Sequence, residues 1–191
     1  MSATNRGGHR SPADFYATPA WCVERLLEAV ELPGGKWLEP AAGNGAIVRA
    51  AGREDVAWDL WELRDSERLA LKRSAPRASV RIGDFLVAAR EGELGGARYD
   101  VAITNPPFRL AQEFIDACLA CADTVVMLLR LNYLASKARW GFMSKRTPDV
   151  YVLPNRPSFT GGGTDSIEYA WFVWGREPRS EGRLKVLGLR P

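Results

Sequence analysis

Asn105-Pro106-Pro107-Phe108 is the stretch of this 191-residue chain with the most chemical content. Two prolines hold the backbone in place and remove two amide donors. What remains is an asparagine side chain and a backbone carbonyl that can both accept hydrogen bonds, next to a flat ring. That set suits an exocyclic amine on a flat base stacked against Phe108. The plain alternative is a proline-rich turn.

Three carboxylates accompany the string. Glu39 precedes the turn Pro40-Ala41-Ala42-Gly43-Asn44-Gly45, where Gly43 and Gly45 would let the backbone approach a ligand. The third glycine of a dinucleotide fingerprint and the lysine of a P-loop are both missing. A carboxylate directly before such a turn suits a cationic amino group better than a pyrophosphate. Glu62 stands 17 residues after Gly45, where an acidic side chain in an open sheet accepts from ribose hydroxyls; Asp59 competes for that role from deeper in the same strand. Asp84 ends a further strand and can accept from an adenine amine, while Phe85 beside it offers an apolar surface. Acidic residues at strand ends are common singly, and a structural turn would explain the glycines. Three at the carboxyl ends of successive strands mark the edge where ligands bind.

The elements that must position these groups alternate. A helix is predicted over Pro19–Leu32, with Thr18 as its cap and Val23, Leu26, Leu27 and Val30 on its apolar face. Strands are predicted at Lys36–Glu39, Val56–Leu63, Val80–Ile82, Tyr99–Thr104, Thr124–Leu131, Val150–Leu153 and Ile167–Trp174, with a short one at Leu184–Leu187. Helices are predicted after Gly45 to about Gly52, over Asp65–Ser74, along the face Leu110, Phe114, Ala117, Cys118 and Cys121, and over Ser136–Lys145. Strands alternating with helices imply a parallel, doubly wound sheet; the last two long strands, with no helix between them, imply an antiparallel pair at one edge.

With these motifs in this order, the chain resembles the S-adenosylmethionine-dependent amino-group DNA methyltransferases, in particular the adenine-N6 branch. Phe15-Tyr16-Ala17-Thr18-Pro19 resembles the motif that contacts the methionine end of the cofactor. Glu39–Gly45, including Pro40 and Ala41, resembles the glycine motif, Glu62 the ribose acid, Asp84-Phe85 the adenine-contact pair, and Asn105–Phe108 the catalytic motif. Pro157–Asp165 with Glu168-Tyr169-Ala170-Trp171 resembles small phage and prophage members. The resemblance implies an α/β, Rossmann-like class I methyltransferase fold, with a mostly parallel seven-stranded sheet, an antiparallel edge strand and the order 3-2-1-4-5-7-6. It implies S-adenosylmethionine as cofactor and Tyr16, Thr18, Glu39, Pro40, Ala41, Gly43, Gly45, Glu62, Asp84, Phe85 and Asn105 as its contacts. It implies Asn105, Pro106, Pro107 and Phe108 as catalytic residues acting on adenine N6 in DNA. An RNA adenine-N6 methyltransferase, a protein-glutamine methyltransferase and a non-catalytic nucleic-acid-binding relative are the alternatives. Only twenty residues separate Asp84 from Asn105, leaving no room there for the target-recognition domain that many relatives carry.

Composition sets the outer limits. Hydrophobic residues make up 46% and charged residues 26%, as in a soluble globular protein and unlike a disordered one. Three cysteines and one histidine argue against a disulfide framework and against a metal site; Cys118 and Cys121 read as helix packing, and His9 as uninvolved. No apolar run approaches the roughly 20 residues of a membrane span, and the N-terminus reads as a flexible arm over 1–14 rather than a secretory signal, so a cytoplasmic protein with one domain over 15–191 is expected. Residues 1–122 carry 15 Lys/Arg against 17 Asp/Glu; residues 123–191 carry 11 against 6. The positive run predicts phosphate contacts from Lys137, Arg139, Lys145 or Arg146, with Gly161, Gly162 and Gly163 closing over a flipped base; the alternative is a solvated helix face. Trp140, beside Arg139, is a candidate for stacking on nucleic acid, the other tryptophans for the core.

Overall fold

The computed structural model describes residues 17–159, 165–175 and 182–189. These form an eight-stranded sheet in the order β3-β2-β1-β4-β5-β7-β6-β8. The strands are β1 (Gly35–Glu39), β2 (Val56–Glu62), β3 (Ser79–Ile82), β4 (Tyr99–Thr104), β5 (Ala122–Arg130), β6 (Asp149–Val152), β7 (Tyr169–Gly175) and β8 (Leu184–Val186). All pairs are parallel except those of β7, which runs antiparallel to both β5 and β6. The order matches the expected one, and β8 extends it by pairing parallel to β6. The expected arm over 1–14 lies outside the described residues.

The centre of the sheet is buried on both faces, and the strand sequences show why. Alternate residues of a strand point to opposite sides. Along β5, Val125, Met127 and Leu129 enter one core with Ala102, Phe172 and Trp174, while Val126 and Leu128 enter the other with Val101, Ile103 and Trp171. A strand covered on both faces reads as a continuous apolar run rather than an alternating one. The first core is covered by α4 (Phe85–Arg90) and α5 (Ala111–Cys121), and the second by α1 (Ala20–Ala29), α2 (Ala46–Ala51) and α3 (Arg68–Ser74). Two buried indoles find acceptors: Trp171 Nε1 donates to the Cys22 carbonyl at 2.8 Å, tying α1 to β7, and Trp174 Nε1 donates to the Arg146 carbonyl at 2.9 Å. Cys118 and Cys121 are buried on the packing face of α5, and burial raises both thiol pKa values. Among the described residues no helix is long and apolar enough to cross a membrane.

Several helices differ from expectation: α4 is not among the expected ones, α3 begins at Arg68 rather than Asp65, and α1 and the basic helix differ in their ends. Thr18 does not cap α1; Pro19 occupies that position without a side-chain bond, and the helix ends at Ala29 because Val30 is extended. The basic helix predicted over Ser136–Lys145 shrinks to α6 (Trp140–Met143). There the Arg139 amide turns back onto the Ser136 hydroxyl and carbonyl, and the Arg139 side chain donates to the carbonyls of Tyr133 and Asn132. Such local bonds compete with helix propagation.

Candidate functional site

A cleft opens at the carboxyl ends of β3, β2, β1 and β4, enclosing about 830 Å³ together with its mouth. It sits where the strand order reverses beside β1, the crevice that open α/β sheets use for ligands. Its walls include Thr18, Glu39, Pro40, Ala41, Gly43, Glu62, Asp84, Phe85, Asn105 and Pro107, which the sequence reading named, and Leu63, Arg64, Leu110 and Phe114, which it did not assign to the site. Exposed leucines at 63 and 110, beside the acid and after the proline string, are the signal that was open to reading.

The turn after β1 is held by backbone bonds. The Ala42 amide donates to the Trp61 carbonyl at 2.8 Å, the Gly45 amide to the Ala42 carbonyl at 2.8 Å, and the Gly43 amide to Glu62 Oε2 at 2.7 Å. Gly43 has φ +54°, which favours glycine where the chain passes the cleft. Gly45 is a correction: it does not line the cleft. Its φ is +79°, and a Cβ there would meet Ser74 of α3 at 2.9 Å, so helix packing rather than ligand approach requires the glycine.

The carboxylates divide the work unequally. Glu62 is buried and its Oε1 accepts from the Arg64 amide at 3.0 Å and the Arg64 Nε at 2.8 Å. The competing Asp59 is absent from the cleft wall; it accepts from the Tyr99 hydroxyl at 2.6 Å and lies 3.5 Å from Arg81 Nε. Asp84 Oδ1 accepts from the amides of Leu86 and Val87 at 2.9 and 3.2 Å, capping α4, so this carboxylate has a structural duty beside the cleft. Phe85 is buried with its ring 6.0 Å from Trp61 and 5.9 Å from Phe114. Glu39 is the exception. It is only 2% exposed, and its Oε2 is buried with no hydrogen-bond partner. Burial, and then repulsion from Glu62, push its pKa well above the ordinary carboxylate value, while Arg49 opposes them.

Asn105 and Pro107 line the cleft; Pro106 is buried and Phe108 half-buried, and neither is on its wall. Asn105 Nδ2 donates to Thr18 Oγ1 at 3.2 Å, so the threonine expected as a helix cap instead fixes which end of the amide points where. The Phe108 ring is not a bare platform. The Arg130 guanidinium lies 4.6 Å from its centre, Tyr169 sits 5.7 Å away, and Phe159 lies 5.0 Å beyond Tyr169.

The basic run divides. β6 runs in the same direction as β5, so the residues entering it lie at the sheet's amino edge, opposite the cleft. Lys145 and Arg146 immediately precede that entry, and the Arg146 carbonyl is held by Trp174, which pairs with Val125 in the amino half of β5. They do not border the cleft as expected. Arg139 stacks 4.3 Å over Tyr133 and serves as a local clasp, while Lys137 and Trp140 are exposed, Trp140 at 73%. Tyr16, Gly161, Gly162 and Gly163 lie outside the described residues.

The double duty of Glu62 leads to a prediction. Glu62→Gln keeps an acceptor for the Gly43 amide but removes the charge, and cofactor affinity should fall by roughly tenfold, the size of one charge-assisted bond. Titration calorimetry reads it; unchanged affinity in the folded variant would remove Glu62 from the ribose role.

No protein-family model matches the sequence, and no curated protein matches it. Solved structures do match in fold. A predicted O-methyltransferase from Agrobacterium tumefaciens is 19% identical with a TM-score of 0.62, over 88% of this chain and 84% of that one. A putative RNA methyltransferase from Pyrococcus horikoshii is 16% identical with a TM-score of 0.63, over 89% and 93%. A dimethyladenosine transferase from Plasmodium falciparum is 14% identical with a TM-score of 0.62, over 84% of this chain and 63% of that one. These likenesses are of fold: the chain, with its mostly parallel sheet and reversed strand β7, has the class I methyltransferase fold.

Proposed function

We propose that the chain transfers a methyl group from S-adenosylmethionine to the exocyclic N6 amine of adenine in DNA. The observation that carries this reading is Asn105, held by Thr18 at the end of β4 where the cleft meets the proline string. The cleft's own chemistry fits the cofactor. The orphaned, buried Glu39 oxygen suits the cationic amine of a methionine moiety, Glu62 suits ribose hydroxyls, and Leu63, Phe85 and Leu110 supply apolar walls for a flat base.

When bound, S-adenosylmethionine supplies an electrophilic methyl carbon on a positively charged sulfur. The adenine amine is a poor nucleophile because its lone pair is delocalised into the ring. Asn105 and the Pro106 carbonyl accept its two hydrogens, which draws electron density onto nitrogen and favours the positive charge that develops there. Holding amine and methyl carbon in line contributes further, as orientation does in any displacement. In duplex DNA the base must first leave the stack, at a cost of a few kcal/mol. Phe108 offers the base what remains of its ring beside Arg130.

A second reading, the same chemistry on RNA, is favoured by the RNA methyltransferase and dimethyladenosine transferase among the similar structures. The test incubates the protein with labelled S-adenosylmethionine and duplex DNA, single-stranded DNA, RNA or protein in parallel, then identifies the modified nucleoside. N6-methyladenine in DNA is expected. Label confined to RNA or to protein glutamine, or recovered as methylcytosine, would overturn the substrate assignment; cofactor binding without any transfer would indicate a non-catalytic relative.

A further inference from the structure

We infer that Arg130 binds the backbone phosphate of the target nucleotide, and so does the anchoring that the Lys145–Arg146 run does not. The inference rests on the reading of the chain as a DNA methyltransferase and supplies that site's phosphate contact.

Arg130 is the last residue of β5, directly opposite Tyr169 on β7 and three positions beyond Met127, which pairs with the last residue of β4. It therefore stands above the carboxyl edge, next to the turn that carries Asn105. Its guanidinium lies against the Phe108 ring, and its Nε is buried without a hydrogen-bond partner. Among the described residues no carboxylate lies within ion-pair distance of it. Its side chain meets the Tyr169 hydroxyl, which donates to Asp165 at 2.6 Å, so that carboxylate is one hydroxyl away, and Glu168 pairs with Arg156.

A half-buried cation with no carboxylate in direct contact gains when an anion reaches it. A guanidinium that stacks by its face keeps its N–H donors in plane for oxygen; one meets the Tyr169 hydroxyl, and the planar fork still matches a phosphate. Phe108 is three residues from Asn105, so an anion held beside it and a base held at Asn105 are neighbours on one short stretch of chain. The same placement explains how a chain with a positive run on the wrong edge can still hold DNA at the cleft.

The test compares wild type with Arg130→Gln and Arg130→Lys on duplex DNA, and repeats it with a neutral methylphosphonate at the target adenosine. Arg130→Gln should weaken DNA binding about tenfold or more and flatten the slope of log affinity against log salt by about 0.9, one phosphate's share. Arg130→Lys should keep the slope. The methylphosphonate should cost wild type a similar factor and cost Arg130→Gln little more, because both remove one contact. Cofactor affinity should stay constant, and Lys145→Ala with Arg146→Ala should leave the slope unmoved. Additive losses, or an unchanged slope in folded Arg130→Gln, would overturn the inference. If the glutamine variant does not fold, the methylphosphonate on wild type decides: no loss of affinity overturns it. Failure of the underlying reading looks different, since wild type itself would then transfer no methyl group to DNA.

Discussion

Asn105→Ala is expected to lower methyl transfer by about 10²–10³-fold or more while cofactor binding stays nearly unchanged. The magnitude is that of removing one preorganised polar group aimed at developing charge. The split follows from geometry: Asn105 lines the cleft at its β4 end, whereas the groups assigned to the cofactor's polar ends, Glu39 and Glu62, belong to β1 and β2. Thr18→Val provides a graded companion. The valine cannot accept from Asn105 Nδ2, so the amide loses its orienting bond, and turnover should fall with little change in KM. Thr18→Ser should restore it. Single-turnover rates and cofactor titrations on the same samples check both, and an alanine variant with wild-type turnover would remove Asn105 from the chemistry.

Glu39→Gln should move binding and stability in opposite directions. A buried carboxylate facing a cationic amine makes a charge-assisted bond of about 1.5–3 kcal/mol, so its loss should weaken S-adenosylmethionine binding by tenfold to a hundredfold. In the free protein the same carboxylate is a liability. Its pKa is raised above the ordinary value near 4.5 chiefly by burial, so the folded state holds a proton that the unfolded chain has already lost. Stability from this group is therefore full below about pH 4.5 and is lost as pH rises through the raised pKa. Glutamine removes that loss. The free variant should melt higher than wild type at neutral pH and equal to it in acid, and saturating cofactor should reverse the ranking at neutral pH. Thermal melts across pH, with and without cofactor, test the pair of effects; an unchanged cofactor affinity would move the amine's partner elsewhere.

Both predictions use residues that can be found without coordinates, and the reason is topological. Parallel strands joined by right-handed crossovers all deliver their carboxyl ends to one edge. Glu39, Glu62, Asp84 and Asn105, each at or just past a strand end in the sequence, could therefore be assigned to one site from the apolar runs before them. The strand order beyond that edge followed from resemblance to a family, and β8 from a short apolar run.

What a side chain does at that edge depends on neighbours that sequence spacing does not show. Asp59 and Glu62 are three residues apart on one strand, and only the fold shows that Tyr99 and Arg81 engage the first while the second reaches the glycine turn. Gly45 looks like a ligand-approach glycine until Ser74 is found against it, and Thr18 looks like a cap until Asn105 reaches it from 87 residues away. Charge was the least legible property. A basic run has no direction in sequence; the antiparallel β7 puts the entry to β6 at the amino edge, carrying Lys145 and Arg146 away from the cleft. The same strand pairs Tyr169 with Arg130 and leaves that cation beside Phe108. Motifs and strand ends are local and survive in the sequence, whereas the orphaned Glu39 oxygen and the placement of Arg130 arise only when distant segments pack.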